Sequence, residues 1–259
     1  MKKILFACDL DNTLIHSYHR KKDGDVCIEW LNGNEQGYIS QAAVKLLAQV
    51  VDEVLFVPVT TRSIEQYLRI QWLSDTTPEY AVTTNGAIAL ENTGIDTSWK
   101  AESDALLEDY KGELQQMMSL LDKEEDLLRN RYVDGMYVFA IGREGADVPA
   151  IVKRYNAQST LQVAASGKKV YFFPPAFNKG SALERLMAKN KPDFVICAGD
   201  TAIDLPMLER ADLALCREEI FDEIRNPNKR IFADEKELLE YVLTFTRQMK
   251  KDTALEANL

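Results

Sequence analysis

Short apolar runs recur along the chain, and each stops at a small or polar residue: Ile4 to Cys8, Val54 to Val59, Tyr80 to Val82 and Phe194 to Ala198. Runs of this kind read as strands, and the segments between them carry helical periodicity. One helix is predicted from about Ser40 to Val51. A second opens at Ser63, where Ser63-Ile64-Glu65-Gln66 forms a capping box ahead of Tyr67, Leu68, Ile70 and Leu73. Strands alternating with helices predict βαβ crossovers and a parallel sheet. After Ala198, Leu213 to Cys216 and Arg230 to Phe232 continue the strand pattern. A last helix opens at Asp234-Glu235-Lys236-Glu237, and the chain from Lys250 is expected to fray.

The middle of the chain has another rhythm. A long helical pattern covers Ala105 to Leu128, Tyr137 to Ile141 is strand-like, a second helix lies near Val148 to Asn156, and Thr160 to Ala164 and Val170 to Phe173 are again strand-like. This block predicts a small α+β unit inserted into the α/β one, with connections near Asn85-Gly86 and Pro174-Pro175. The expected division is therefore residues 1–86 plus 178–259 for the α/β part and 87–177 for the insert. A length of 259 residues suits one domain of moderate size plus an insertion.

Composition narrows the function classes. Hydrophobic residues make up 46% and charged residues 28%, ordinary globular usage. The net charge of −10 argues against a nucleic-acid binder held by phosphate contacts. No stretch approaches the ~20 apolar residues of a membrane span, and the run after Met1-Lys2-Lys3 is too short for a secretory signal. Cys8, Cys27, Cys197 and Cys216 are scattered without a C-x-x-C pair, so free thiols and a cytoplasmic location are expected. His16 and His19 are the only histidines, which leaves almost no room for histidine triads or histidine-rich metal sites. No pattern points to a particular oligomeric state.

The chemistry is expected where the first strand ends, at Asp9-Leu10-Asp11-Asn12-Thr13. Side chains alternate along a strand, so Asp9 and Asp11 leave its carboxyl end on one side, where open α/β sheets place ligands. An acidic turn after a strand is equally often a cap for the next segment. The other strand ends favour chemistry: Thr60-Thr61-Arg62 closes the second run, Lys179-Gly180 opens the helix after the insert, and Asp200 and Asp204 follow the fourth run. Asp9, Asp200 and Asp204 brought together repel, about 4 kcal/mol per pair at ~4 Å and an effective dielectric of 20. A proton or a cation must compensate, and Mg²⁺ suits an all-oxygen set completed by a substrate phosphate. Asp9 can then attack phosphorus to give an aspartyl phosphate, while Asp11 protonates the leaving alcohol and later deprotonates water. Thr60 would donate to a phosphoryl oxygen and Lys179 would balance its charge.

These four motifs, in this order, make the sequence resemble a haloacid dehalogenase (HAD) superfamily phosphatase. The resemblance covers about residues 1–86 and 178–245, and implies a Rossmann-like core with an α+β cap of type IIB. It implies Asp9 as nucleophile, Asp11 as general acid and base, Thr60 and Lys179 at the phosphoryl group, and Mg²⁺ on Asp9, Asp200, Asp204 and the backbone carbonyl of Asp11. Thr84-Asn85-Gly86-Ala87 and Asn178-Lys179-Gly180-Ser181 are similar to the Cof-like and sugar-phosphatase branches, which adds Thr61, Arg62 and Asn85 as candidate substrate contacts. Two positions depart from the pattern: Thr61 stands where glycine is usual, and Ile203 where asparagine commonly precedes the last aspartate.

Arg62 reads equally as a substrate contact or as a partner of a core group. Lys168-Lys169 reads as solvated surface, with a second phosphate of a sugar as the alternative. The expected activity is Mg²⁺-dependent hydrolysis of a small phosphorylated metabolite, a sugar phosphate first of all. The alternatives are a phosphomutase and a non-catalytic phospho-ligand sensor or scaffold, the latter favoured only by Ile203.

Overall fold

The chain's first strand, β1 (Ile4–Cys8), is buried at every residue in the computed structural model, which describes residues 2–73 and 76–256. It leads through β2 (His16–Ser17) into the hairpin β3 (Asp25–Leu31) and β4 (Asn34–Ser40), then α1 (Gln41–Glu53), β5 (Leu55–Pro58) and α2 (Ile64–Leu68). Next come β6 (Tyr80–Thr83), β7 (Ile88–Glu91), β8 (Gly94–Ile95), α3 (Thr97–Leu107) and α4 (Lys111–Leu121). Then follow β9 (Leu127–Val133), β10 (Tyr137–Gly142), α5 (Val148–Asn156), β11 (Gln162–Ser166) and β12 (Lys169–Phe173). The chain closes with α6 (Lys179–Asn190), β13 (Phe194–Gly199), α7 (Leu205–Leu208), β14 (Leu213–Cys216), β15 (Lys229–Ile231) and α8 (Glu235–Glu256).

β1 is buried because it has a parallel neighbour on each side and a helical layer on each face. The main sheet runs β15-β14-β13-β1-β5, all parallel, and the bridge Val59↔Val82 extends it toward β6. Ile4, Phe6 and Cys8 pack with Leu47 and Val50 of α1 and Leu239 and Val242 of α8. Leu5 and Ala7 face the opposite way, onto Leu183 and Leu186 of α6 and Met207 of α7. Two apolar faces on one short strand explain why it reads as a continuous hydrophobic run. The architecture is α/β, a parallel sheet between helical layers.

The inserted segment builds a second, antiparallel sheet of order β11-β12-β10-β9. Alternation along β10 and β12 gives it two different faces. Val138, Ala140, Val170 and Phe172 pack under Leu114, Met117 and Leu121 of α4 and Ile151 and Tyr155 of α5. Val133, Tyr137, Phe139, Tyr171 and Phe173 form a separate aromatic cluster, and Ile203 of the α/β part packs against it.

Four expectations change. The helix opened by Ser63 keeps its capping box but ends at Leu68, because Ile70 bridges to Glu29 and the Gln71 amide donates to Ile28 O at 2.7 Å. The β3–β4 hairpin that makes those contacts has no counterpart in the predicted elements. The single helix over 105–128 is two helices and the start of a strand, because its parts serve different cores. Trp99 and Ser103 of α3 are clasped by Arg185 of α6, which donates to Trp99 O at 2.8 Å and to Ser103 Oγ at 3.0 Å, whereas α4 buries Leu114, Met117 and Leu121 in the insert. The expected division at 86/87 thus falls inside the β6–β7 hairpin. Finally, α8 continues past Lys250, whose ammonium donates to the Glu53 carbonyl at 2.7 Å; residues 257–259 lie outside the described residues. No helix among the described residues is long and apolar enough to cross a membrane.

Gly180 lets α6 touch α7: a Cβ there would lie 2.5 Å from the Pro206 carbonyl oxygen. Gly112 of α4 faces open space. In urea denaturation Gly180→Ala is expected to lose about 1–3 kcal/mol through overpacking. Gly112→Ala is expected to gain up to about 1 kcal/mol from helix propensity.

Candidate active site

Asp9 extends β1 by one more sheet bond, its amide donating to Ala198 O at 2.9 Å. The loop beyond is wound tightly: Leu10 O accepts the amides of Leu14 and Ile15 at 2.9 and 2.8 Å, and Asn12 takes the left-handed conformation, φ 64°. Asp9 is left at the strand end, 6% exposed. Lys179 reaches it from the first turn of α6, where Asn178 and Ser181 form a capping box.

The Lys179 ammonium is buried between two carboxylates. It donates to Asp9 Oδ1 and, at 2.5 Å, to Asp204 Oδ1. The second oxygen of Asp204 accepts from the Asp200 amide (3.1 Å), the Thr201 amide (2.9 Å) and Thr201 Oγ1 (3.1 Å). Asp204 therefore ties the loop after β13 to Lys179. Gly199 makes room for it, since a Cβ there would fall 2.4 Å from Asp204 Cβ.

Negative charge remains in excess. Asp9, Asp200 and Asp204 each offer an oxygen such that all three lie within 4.8 Å of one another, with Lys179 as the ammonium bridging two of them. Burial pushes the Asp9 carboxyl well above its ordinary range; Lys179 opposes this, and Asp204 and Asp200 add to it. Burial, then the charge of Asp204, raises Asp200 to about 7. Burial alone would lower Lys179, but Asp204 and Asp9 hold it firmly protonated. A hard divalent cation fits this all-oxygen set and answers its charge. Asp9 and Asp200 would hold it. Asp204, expected as a ligand, has both oxygens engaged by protein donors, and the Asp11 carboxylate lies outside the trio.

Asp11 is gripped from elsewhere. Arg62 donates to both its oxygens, Nη2 to Oδ1 at 2.8 Å and Nε to Oδ2 at 3.0 Å, while Arg62 Nη1 reaches Glu29 Oε2 at 2.8 Å. Arg69 Nη2 completes the chain on Glu29 Oε1 at 3.0 Å. Burial would raise the Asp11 carboxyl, but the charge and hydrogen bonds of Arg62 prevail and hold it at about 2. Arg62 is thus a partner of Asp11 and Glu29 and lines the space beside Thr61. Glu29, Arg69 and the hairpin that carries Glu29 had no signal in the sequence, since their partners are distant along the chain.

The remaining candidates separate. Thr61 lines the cavity over Asp9, with Lys169, Tyr171, Ser166 and Ile203 around it. Thr60 lies fully buried beneath, its hydroxyl accepting from the Arg62 amide at 3.2 Å. Asn85 is not at the cavity: its Nδ2 donates to Phe177 O at 2.8 Å and joins the two crossings into the insert. Lys168 pairs with Glu144 at the surface, as expected, but Lys169 points to the site. Ile203 exchanges a polar group for an apolar contact with the aromatic face of the inserted sheet.

No family model matches the sequence, and comparison with curated proteins finds no match. Solved structures do match in shape. The sucrose-phosphatase of Synechocystis sp. PCC6803, solved with sucrose and phosphate, superposes with a TM-score of 0.67 at 18% identity over 95% of this chain and 98% of that one. A haloacid dehalogenase-like hydrolase from B. subtilis gives 0.60 at 17%, over 93% and 99% of the two chains. A trehalose-6-phosphate phosphatase related protein gives 0.57 at 18%, over 95% and 99%. This is the haloacid dehalogenase fold. In it, the inserted sheet stands as a cap over Asp9. Tyr137 Oη donates to Thr61 O at 2.7 Å, and Asp134 of the β9–β10 turn accepts from the Ile64 amide (3.0 Å) and Thr84 Oγ1 (2.6 Å).

Lys179→Met would leave Asp9 and Asp204 buried without their counter-charge, and a loss of about 3–5 kcal/mol is expected in urea titrations. Asp11 has a depressed folded-state pKa, so its contribution to stability is present above the ordinary value of 3.8 and fades as pH falls toward 2. Its side chain is 41% exposed and screened by water, so about 1 kcal/mol is at stake. Arg62→Met is expected to flatten the acid limb of the stability–pH curve by that amount.

Proposed function

We propose that the protein is a Mg²⁺-dependent phosphomonoester hydrolase that works through an aspartyl phosphate on a small phosphorylated metabolite, foremost a sugar phosphate. The observation that carries this reading is the buried Asp9 carboxylate at the strand end, bonded to Lys179 and set among carboxylates whose charge calls for a divalent cation. A sucrose-phosphatase and a trehalose-6-phosphate phosphatase related protein among the similar structures support the sugar-phosphate class.

Asp9 attacks phosphorus in line with the ester oxygen; the Asp9 O–P bond forms as the P–O ester bond breaks. Lys179 would balance charge on the phosphoryl oxygens, and Thr61, which lines the cavity wall, would donate a hydrogen bond to them in place of the expected Thr60, which is buried. Bound Mg²⁺ would supply Lewis-acid stabilisation and shield one anion from the other. Asp11, once released from Arg62, takes up a proton from solvent and gives it to the leaving alcohol, then takes one from the water that cleaves the aspartyl phosphate. For this it must leave the fork of Arg62, which keeps it ionised. The cap excludes water and limits substrate size. Four free cysteines, three of them (Cys8, Cys197 and Cys216) in the main sheet, support a reducing cytoplasm. Nucleic acid and membrane are not proposed as partners.

The Asp11–Arg62 pair together with Ile203 favours a second reading, a phospho-ligand sensor that binds without turnover. Phosphate release across a metabolite panel separates the two. Release is expected with Mg²⁺, none with excess EDTA, and about 10³-fold less for Asp9→Asn. Equal release by wild type and Asp9→Asn would remove Asp9 as nucleophile; Mg²⁺-dependent binding with no release at all would establish the sensor.

A further inference from the structure

A second cavity, about 120 Å³, opens beside the one of about 40 Å³ over Asp9, and Asp11, Thr61, Lys169 and Tyr171 form their common wall. Its lining is unlike the rest of the molecule. Arg62, Arg69, Arg131 and Lys169 all face it, against two carboxylates, Asp11 and Glu29, on a chain whose net charge is −10. Arg62 is taken by Asp11 and Glu29, and Arg69 by Glu29 and Glu65. Arg131 and Lys169 form no salt bridge among the described residues. Arg131 lies on the ring of Phe139, 5.2 Å from its centroid, and Lys169 stands where the two cavities meet.

Arg131 and Lys169 thus bring two positive charges to this space that no carboxylate of the wall answers, beside the paired Arg62 and Arg69. Tyr137 and Tyr171, both nearly buried, wall the cavity with rings that displace water and strengthen its field. Arginine and lysine only donate hydrogen bonds, so the wall suits an oxyanion better than a neutral hydroxyl. The space is well below the roughly 300–1,000 Å³ of pockets that hold drug-sized ligands, so it takes a small acidic group and no second sugar ring.

The geometry points to a subsite for a second anionic group of the substrate, a carboxylate a few bonds from the scissile ester, with Arg131 and Lys169 as its specificity-determining residues. This rests on the phosphatase reading for which end of the substrate lies at Asp9. It also gives Arg62, which lines the same cavity, a second anionic partner beside Asp11.

Two matched pairs test the subsite, each differing only by a carboxylate in place of CH₂OH: 3-phosphoglycerate with glycerol 3-phosphate, and 6-phosphogluconate with sorbitol 6-phosphate. Dissociation constants are measured by calorimetry on the Asp9→Asn protein with Mg²⁺, and kcat/KM on wild type. In at least one pair the acid is expected to bind about 10-fold more tightly, the worth of one charge-assisted contact, and Arg131→Met/Lys169→Met to bring the ratio close to one. Added salt is expected to shrink the preference. Equal dissociation constants within both pairs overturn the subsite, whatever the turnover. A preference that the double variant leaves intact overturns the assignment to Arg131 and Lys169. Absence of turnover on every ester, with the binding preference present and lost in the double variant, would count against the phosphatase reading and uphold the subsite.

Discussion

One buried ammonium holds the carboxyl ends of the central strands together. Lys179 is 1% exposed and bonds two carboxylates that are themselves buried, Asp9 after β1 and Asp204 after β13. Removing three charges from water is costly, and the arrangement survives because nearly every polar atom in it is matched. Asp204 spends its other oxygen on the loop that carries Asp200, and Gly199 and Gly180 keep the backbones close enough for the contacts to form. Two strand ends and one helix start are thereby set within a few ångströms of each other.

The cap is seated by a different kind of interaction. Its core-facing sheet face is aromatic, and Ile203 meets it with an apolar side chain at the rim of the Asp9 cavity. At the edges the seat is polar: Tyr137 on the Thr61 carbonyl and Asp134 on Ile64 and Thr84. Thr84 and Asn85 both take left-handed backbone conformations at the crossing into the insert, an unfavourable choice for a β-branched residue. The Asp134 carboxylate and the Phe177 carbonyl hold them there. The loops after β5 and β6 are thus the loops that bear the cap.

Asp11 shows why proximity and readiness differ. It lies beside Asp9 in sequence and in space, yet the bidentate Arg62 keeps its proton away. Arg62 joins Asp11 to the cationic cavity and to Glu29 on its far side.

Much of this was written locally. The strands Ile4–Cys8 and Leu213–Cys216, the helix Val148–Asn156 and the capping box at Ser63 are short-range patterns, and each appears as predicted. Asp9, Lys179, Asp200 and Asp204 were legible because strand ends of a parallel sheet converge by topology alone, so their meeting follows from the order of elements. Contacts between distant segments were not legible. The break between α3 and α4, the Glu29 hairpin that stops α2, the turn of Lys169 toward the site and of Asn85 away from it all depend on which surface each residue meets. Hydrophobic periodicity records that a face is buried, but it does not record against what; only the packed tertiary structure, by bringing Arg62 to Asp11 and the cap's aromatic face to Ile203, decided that.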